Sequence, residues 1–194
     1  MKKLALFDFD GTLTTKDSLN EFLKYAVGVK TYFYKLVCFS PIFIGYKLGI
    51  IPNDKAKQKL LKLFFNNWDE KKFKQIALEF SNKKLESILN YEIYNKFLIM
   101  KKNGYRIIVI SASLECWLKP WCDLHNVELL STKLKFKNSK VIGEFLTPNC
   151  YGKEKVNRLK NYLNIDEYDE IISFGDSKAD KYIFDISDKW FLIK

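Results

Sequence analysis

Four apolar residues near the start of the chain, Leu4-Ala5-Leu6-Phe7, run without a break into two carboxylates spaced two apart, Asp8 and Asp10, and then into the turn Gly11 to Thr14. A short continuous apolar run reads as a strand buried on both faces, the habit of parallel sheets covered by helices. Alternation along a strand sends residues i and i+2 to the same side, so both acids leave the strand end facing one place. Two anions that close repel one another. A bound cation, a proton held on one of the pair, or both must compensate.

Two further runs of this kind lie far downstream, Arg106 to Ile110 and the apolar part of DEIISFGDS, and KWFLIK adds a last short strand. Between them lie segments with helical periodicity: EIYNKFLIMKK ending in a turn at Asn103-Gly104, Leu114 to His125, and GKEKVNRLKNYLNI. Buried strands alternating with helices imply an α/β fold, a doubly wound Rossmann-like parallel sheet. The runs STKLKFKN and KVIGEFLT alternate apolar with polar about a short polar turn and predict a small β-hairpin flap. Residues 16–89 instead read as helix throughout, an all-helical subdomain inserted after the first strand, with residues 1–15 and 90–194 forming the core. In DSLNEFLKYAV, Leu19, Phe22, Leu23 and Ala26 fall at i, i+3, i+4 and i+7, with Asp17 or Ser18 as N-cap. WDEKKFKQIALEFSNKKLESIL places Phe73, Ile76, Ala77 and Phe80 on one helix face.

One cap segment is unusual. KTYFYKLVCFSPIFIGYKLGII approaches the roughly 20 apolar residues a bilayer span requires, but Lys35, Pro41, Gly45, Lys47 and Gly49 interrupt it. The interruptions predict a broken helical hairpin, buried in the subdomain or lying at a membrane interface, rather than a transmembrane helix.

At 194 residues, 47% hydrophobic, the chain can bury one core and still carry such an insertion. Its four cysteines, Cys38, Cys116, Cys122 and Cys150, show no C-x-x-C spacing and have one histidine, His125, for company. That argues against a zinc site or a disulfide framework and predicts reduced, partly buried thiols of a cytoplasmic protein. The apolar run before Asp8 is too short for a signal-peptide core. A formal net charge of +10 points to anionic partners, and lysine supplies nearly all of it, since Arg106 and Arg158 are the only arginines. Lysine is a mobile point charge and a poor bidentate reader, which suits diffuse attraction to phosphates or an anionic membrane surface and not specific nucleic-acid recognition.

Four chemistry-bearing stations fall at the carboxyl ends of strands or at a helix start, where open α/β sheets place their sites. They are Asp8-Phe9-Asp10-Gly11-Thr12, Ser111-Ala112-Ser113, the lysines of Gly152-Lys153-Glu154-Lys155, and Gly175-Asp176-Ser177-Lys178-Ala179-Asp180. Each alone is common; their order is not.

That order, with DFDGTLT as its most specific element, resembles the haloacid dehalogenase superfamily of phosphohydrolases over essentially the whole chain. The place of the insertion resembles the first-type cap of the branch that holds phosphoserine phosphatase. More narrowly, the apolar proline-containing cap segment, ISAS followed by Trp117 and Pro120, and the GKEKV helix start are similar to phosphatidylglycerophosphatase C-like members. The resemblance implies Asp8 as nucleophile, forming an aspartyl-phosphate, and Asp10 as general acid and then base. It implies magnesium held by Asp8, the backbone carbonyl of Asp10 and Asp176, with Asp180 as a further ligand or an orienting group. Ser111 and the amides after it, with Gly11, Thr12, Ala112 and Ser113 nearby, would meet the phosphoryl oxygens, and one lysine would offset the charge near Asp8. Lys153 fits by comparison with phosphoserine phosphatases and Lys155 by comparison with the lipid-phosphate members. Lys155 is preferred because it lies one turn before Leu159 on a face continuous with the core.

The cap should set specificity. Asp17 stands where a cap acid would meet a substrate amine, or is only a helix cap, but the cap has no arginine for a substrate carboxylate. The aromatic segment from Thr31 to Ile51 suits a substrate with an apolar portion, such as the lipid phosphate phosphatidylglycerophosphate, and with its lysines suits peripheral contact with an anionic membrane. The competing reading makes Tyr32, Phe33, Tyr34, Phe39, Phe43 and Tyr46 the cap's own core. A small phosphorylated metabolite such as phosphoserine is the alternative substrate, and phosphotransfer to another acceptor the alternative reaction. A silent binding protein on this fold is not expected, since every catalytic station has an acceptable residue.

Overall fold

A computed structural model describes residues 1–194. In chain order the elements are β1 (Lys3–Phe7), a tight turn (Phe9–Leu13), α1 (Ser18–Val27), α2 (Val29–Lys47), α3 (Asn53–Phe65), α4 (Glu70–Lys84), a 3-10 turn (Leu85–Ile88), α5 (Tyr91–Lys102), β2 (Arg106–Leu114), α6 (Glu115–Leu124), β3 (Glu128–Thr132), β4 (Leu134–Lys137), β5 (Lys140–Phe145), α7 (Lys153–Tyr162), β6 (Glu170–Gly175), α8 (Lys181–Phe184) and β7 (Lys189–Leu192).

The main sheet has the order β3-β2-β1-β6-β7, all parallel, and β4-β5 is a separate antiparallel hairpin. β1 lies at the centre, so its apolar run is covered on both faces. Ala5 and Phe7 join Ile107, Val109, Ile172 and Phe174 in the larger core, while Leu4 and Leu6 join Ile108, Ile110 and Ile171 in the smaller one. This is the two-residue alternation of a strand turned into two hydrophobic layers. Phe7 stacks on Phe174 at 4.5 Å between ring centroids, and each such buried ring contributes about 1.5–3 kcal/mol of transfer free energy.

The helical insertion leaves and returns side by side. Thr14 bridges Leu89, the Thr15 amide donates to the Ile88 carbonyl at 2.8 Å, and the Asn90 amide donates to the Leu13 carbonyl at 2.8 Å. Inside the insertion Phe22 of α1 packs edge-on or tilted against Phe65, Phe73 and Phe80 and stacks on Trp117 of α6 at 4.5 Å. Trp117 belongs to the core, so cap and core share one hydrophobic cluster.

Three expectations are corrected. The broken hairpin expected over the apolar cap segment is one 19-residue helix, α2, that passes through Pro41. Proline leaves the carbonyl four residues back without its donor, and here the Ser40 hydroxyl donates to that Val37 carbonyl at 2.7 Å. The chain turns only after Lys47, where Gly49 takes φ +73° and the Ile50 and Ile51 amides donate to the Gly45 carbonyl. The predicted aromatic core of the cap is divided: Tyr32 and Phe39 are buried, while Phe33, Tyr34 and Phe43 are exposed. Finally, Ser131 and Thr132, read as the start of the hairpin, end the edge strand β3, and β2 runs on through Ser111 to Leu114. The polar ends of these strands conceal them from a search for continuous apolar runs.

Candidate active site

The carboxyl ends of β1, β2 and β6 meet the start of α7 beneath the cap, around a cavity of about 300 Å³. Asp8 is buried at the end of β1, anchored by its amide donating to the Phe174 carbonyl at 2.9 Å. Lys155, also buried, donates from Nζ to Asp8 Oδ1 at 2.6 Å and to Asp180 Oδ1 at 2.5 Å. Of the two candidate lysines the structure brings Lys155 into the site; Lys153 is exposed on the other side of the first turn of α7. Burial works to lower the Lys155 pKa, but the two carboxylates outweigh it and raise it, so the ammonium stays charged. Asp8 is pushed up to about 7, chiefly by burial, with Lys155 opposing and Asp180 and Asp10 adding to the rise.

Asp180 has both oxygens committed. Oδ1 holds Lys155, and Oδ2 accepts from the Asp176 amide at 3.2 Å, the Ser177 amide at 3.1 Å and the Ser177 hydroxyl at 2.9 Å. It is thus the brace of the loop that carries Asp176. That loop approaches the β1 turn very closely: Gly11 has φ +77°, and a Cβ on it would stand 2.2 Å from Asp176 Oδ2. Only a glycine satisfies both conditions.

Asp10 points elsewhere. Its Oδ1 accepts from the Ser18 amide at 2.7 Å, at the start of α1, and its Oδ2 accepts from the Ser113 hydroxyl. The Ser18 hydroxyl donates to Ser113 Oγ at 3.1 Å and itself accepts from the Trp117 indole at 3.1 Å. A buried relay from the core therefore orients the second acid, and the two carboxylates differ in surroundings: Asp8 faces an ammonium, Asp10 a chain of neutral donors.

Ser111 and Ala112 line the cavity beside Ser113. The Ser113 amide is turned onto Ser111 Oγ at 3.0 Å, and the Ser113 hydroxyl onto Asp10, so neither is directed at an added ligand as the sequence motif predicts. Thr12, expected near the phosphoryl oxygens, is fully buried under the turn and does not line the cavity. Asp17 reaches the cavity and also caps α1, accepting from the Asn20 amide at 2.8 Å. Open to cavity water but enclosed by its walls, it is pushed up to about 6, by this enclosure first and by the charge of Asp10 second.

Lys57 of α3 escaped the sequence reading. It enters the cavity from the cap, donates to the Ala112 carbonyl at 2.8 Å, and has its pKa lowered by burial while Asp10 and Asp17 pull it back up. The signal was present: Lys57 interrupts the buried stripe Ala56, Leu60, Leu61, Phe64 of an otherwise amphipathic helix. Phe39, Phe43 and Tyr46 of α2 and Leu60 of α3 add an apolar part to the cavity wall.

Asp8, Asp176 and Asp180 each offer an oxygen within 4.8 Å of the others. With Asp10 and Asp17 alongside, five carboxylates share the site with two ammonium groups, those of Lys155 and Lys57. An all-oxygen, net-negative donor set suits a hard divalent ion such as magnesium.

A family model described as haloacid dehalogenase-like hydrolase matches residues 5–184. Protein CicA of Caulobacter vibrioides is 27% identical over 188 residues, covering 96% of this chain and 83% of its own. Among solved structures, a protein of unknown function from Bordetella pertussis Tohama I superposes with a TM-score of 0.82 at 17% identity, over 99% of this chain and 90% of that one. A phospho-aspartyl intermediate analogue of phosphoserine phosphatase superposes with a TM-score of 0.71 at 17% identity, over 98% and 86%.

Proposed function

The chain belongs to the haloacid dehalogenase-like hydrolases, and from that premise we propose that it hydrolyses phosphomonoesters through an aspartyl-phosphate formed on Asp8. The observation that carries this reading is the unequal treatment of two acids from one strand end. Asp8 has Oδ1 tied to Lys155, leaving Oδ2 free for attack, while Asp10 is held by Ser18 and Ser113 two residues on.

In the first step an Asp8 oxygen bonds to phosphorus as the bond to the ester oxygen breaks, and Asp10 gives its proton to that leaving oxygen. In the second, a water attacks phosphorus on the opposite side, Asp10 takes the water proton, and the Asp8–phosphorus bond breaks to release phosphate. Lys155 and the Ser111 hydroxyl offset charge on the phosphoryl oxygens throughout. Asp8, Asp176 and the Asp10 carbonyl would hold magnesium, with Asp180 bracing Asp176. The ion would neutralise the phosphoryl group and so permit one anion to attack another.

For the substrate, the aromatic wall of Phe39, Phe43 and Tyr46 supports an ester with an apolar portion, and a lipid phosphate such as phosphatidylglycerophosphate is the reading we prefer. A second reading, a small zwitterionic ester such as phosphoserine, is favoured by Lys57 and Asp17 facing one cavity with opposite charges. The named phosphoserine phosphatase neighbour lends it weight.

The test is phosphate release by wild type and Asp8→Asn, with magnesium or with chelator, on phosphoserine, an aryl phosphate and phosphatidylglycerophosphate in mixed micelles. Release that needs both magnesium and Asp8, fastest on the micellar lipid, supports the preferred reading. Preference for phosphoserine supports the second, and absence of release from all three overturns the hydrolase proposal. Transfer of phosphate to an added alcohol in place of water would reassign the reaction to phosphotransfer.

A further inference from the structure

Helix α2 has two apolar faces, and only one is accounted for. Its inner face buries Tyr32 and Phe39 and walls the cavity. Its outer face carries Val29, Phe33, Tyr34, Val37 and Ile44, each 57–72% exposed, and Leu48 and Ile50, just beyond the helix end, are 69% and 73% exposed. Phe33, Val37, Pro41, Ile44 and Leu48 follow one another at intervals of three or four residues, a single stripe roughly 22 Å long at the helical rise of 1.5 Å per residue. An exposed stripe of that size on a chain otherwise rich in charge marks an interaction surface.

The charges around it select the partner. From Gly28 to Asn53 there is no acidic residue. Lys30 and Lys47 stand exposed at the two ends of the stripe, while Lys35 turns inward to donate to the Leu63 and Phe64 carbonyls at the end of α3. The middle of the stripe is thus free of charge and its ends are cationic, on a chain of net charge +10. Lys47 also lies over the Phe43 and Tyr46 rings, at 5.4 and 5.9 Å from their centroids. Apolar side chains at the centre, lysines at the rim and aromatic rings between are the arrangement of a helix lying in the headgroup layer of an anionic bilayer.

We propose that α2 is a membrane-docking helix, lying parallel to an anionic lipid surface with the stripe from Phe33 to Leu48 immersed and Lys30 and Lys47 at the phosphates. No single helix is long and apolar enough to cross a bilayer, and α1 and α2, which pass that test only together, are bent by 119° at their junction. The same helix walls the catalytic cavity, so docking sets the cavity beside the lipid headgroups. The docking surface is separate from the catalytic residues and does not depend on which ester is cleaved.

The test is sedimentation of the full chain with sucrose-loaded vesicles of phosphatidylcholine alone or mixed with phosphatidylglycerol. Wild type is compared with Val37→Glu/Ile44→Glu, whose side chains are exposed, and with Lys30→Glu/Lys47→Glu. Wild type should pellet with the anionic vesicles at least tenfold more than with the neutral ones, and both double variants should lose roughly tenfold or more of that binding. Thermal melting and hydrolysis of a soluble aryl phosphate should be unchanged in Val37→Glu/Ile44→Glu, which separates lost docking from lost folding and from failure of the catalytic reading. Wild type remaining in the supernatant with both vesicles overturns the proposal, as does equal pelleting of all three proteins. A concentration-dependent dimer of wild type that the Val37→Glu/Ile44→Glu variant abolishes, without vesicle binding, would assign the stripe to a second copy of this chain instead.

Discussion

Gly11 and Asp176, from opposite ends of the chain, approach so closely that a methyl on Gly11 would stand 2.2 Å from the Asp176 carboxylate oxygen. The β1 turn and the β6 loop are therefore built as one unit, and the third acid of the cluster is held in place by the absence of a side chain. Gly11→Ala should move Asp176 and also strain a φ of +77°, at about 1–2 kcal/mol. Turnover of an aryl phosphate should fall about a hundredfold and require more magnesium. A magnesium titration of activity decides it: an unchanged midpoint would mean that Asp176 does not serve the ion.

Lys155→Met removes the ammonium that joins Asp8 to Asp180 and should lower turnover at least about a hundredfold. Lys153→Met alters only an exposed side chain and should keep activity, with stability within about 0.5 kcal/mol of wild type. Side-by-side kinetics and urea melts of the two variants would reverse the assignment if the losses were exchanged.

The hairpin rests on the cap through another glycine. Gly143 of β5 has φ +74°, and a Cβ there would lie 2.6 Å from the backbone of Lys62 in α3. Gly143→Ala combines left-handed strain with overpacking and should cost about 3 kcal/mol. A urea midpoint equal to wild type would show that the hairpin can lift from the cap without cost.

Away from the site, Arg106 grips Glu128 with two prongs, at 2.6 and 2.7 Å, and Tyr162 adds a third donor at 2.6 Å. The Arg106 hydrogen bond, foremost, holds the Glu128 carboxyl below its ordinary 4.5. A carboxyl lowered in the folded state contributes stability that is present above its unfolded pKa and disappears as pH falls through the folded one. Glu128→Gln should therefore be less stable than wild type at pH 7, by about 1 kcal/mol for a partly exposed pair, and the difference should vanish towards pH 3. Urea melts at both pH values check the sign; a gap that widens on acidification would refute it.

Much of this architecture is local and therefore legible in the chain. The Leu4–Phe7 run, the i, i+3, i+4 stripe of α1 and the Asp17 cap follow from periodicities that act over a few residues. Asp8 at the end of the first apolar run follows from the same logic, but Asp10 does not: β1 stops at Phe7, and the tight turn from Phe9 to Leu13, not strand alternation, aims Asp10 at Ser18 and Ser113. β3 escaped because an edge strand with polar ends lacks a continuous apolar run. Pro41 misled because the hydroxyl that replaces its missing donor comes from a neighbour whose rotamer no pattern specifies.

A parallel sheet with acids at its strand ends and a helical insertion above them are written into the chain, because hydrophobic period and turn chemistry are short-range. Long-range packing alone sets that Lys155 and not Lys153 meets Asp8, 147 residues away, that Lys57 descends from the cap to Ala112, 55 residues away, and which face of α2 is left uncovered. Those outcomes depend on how helices rotate and settle against one another: the two-residue step from Lys153 to Lys155, about 200° around α7, separates an exposed ammonium from a buried one.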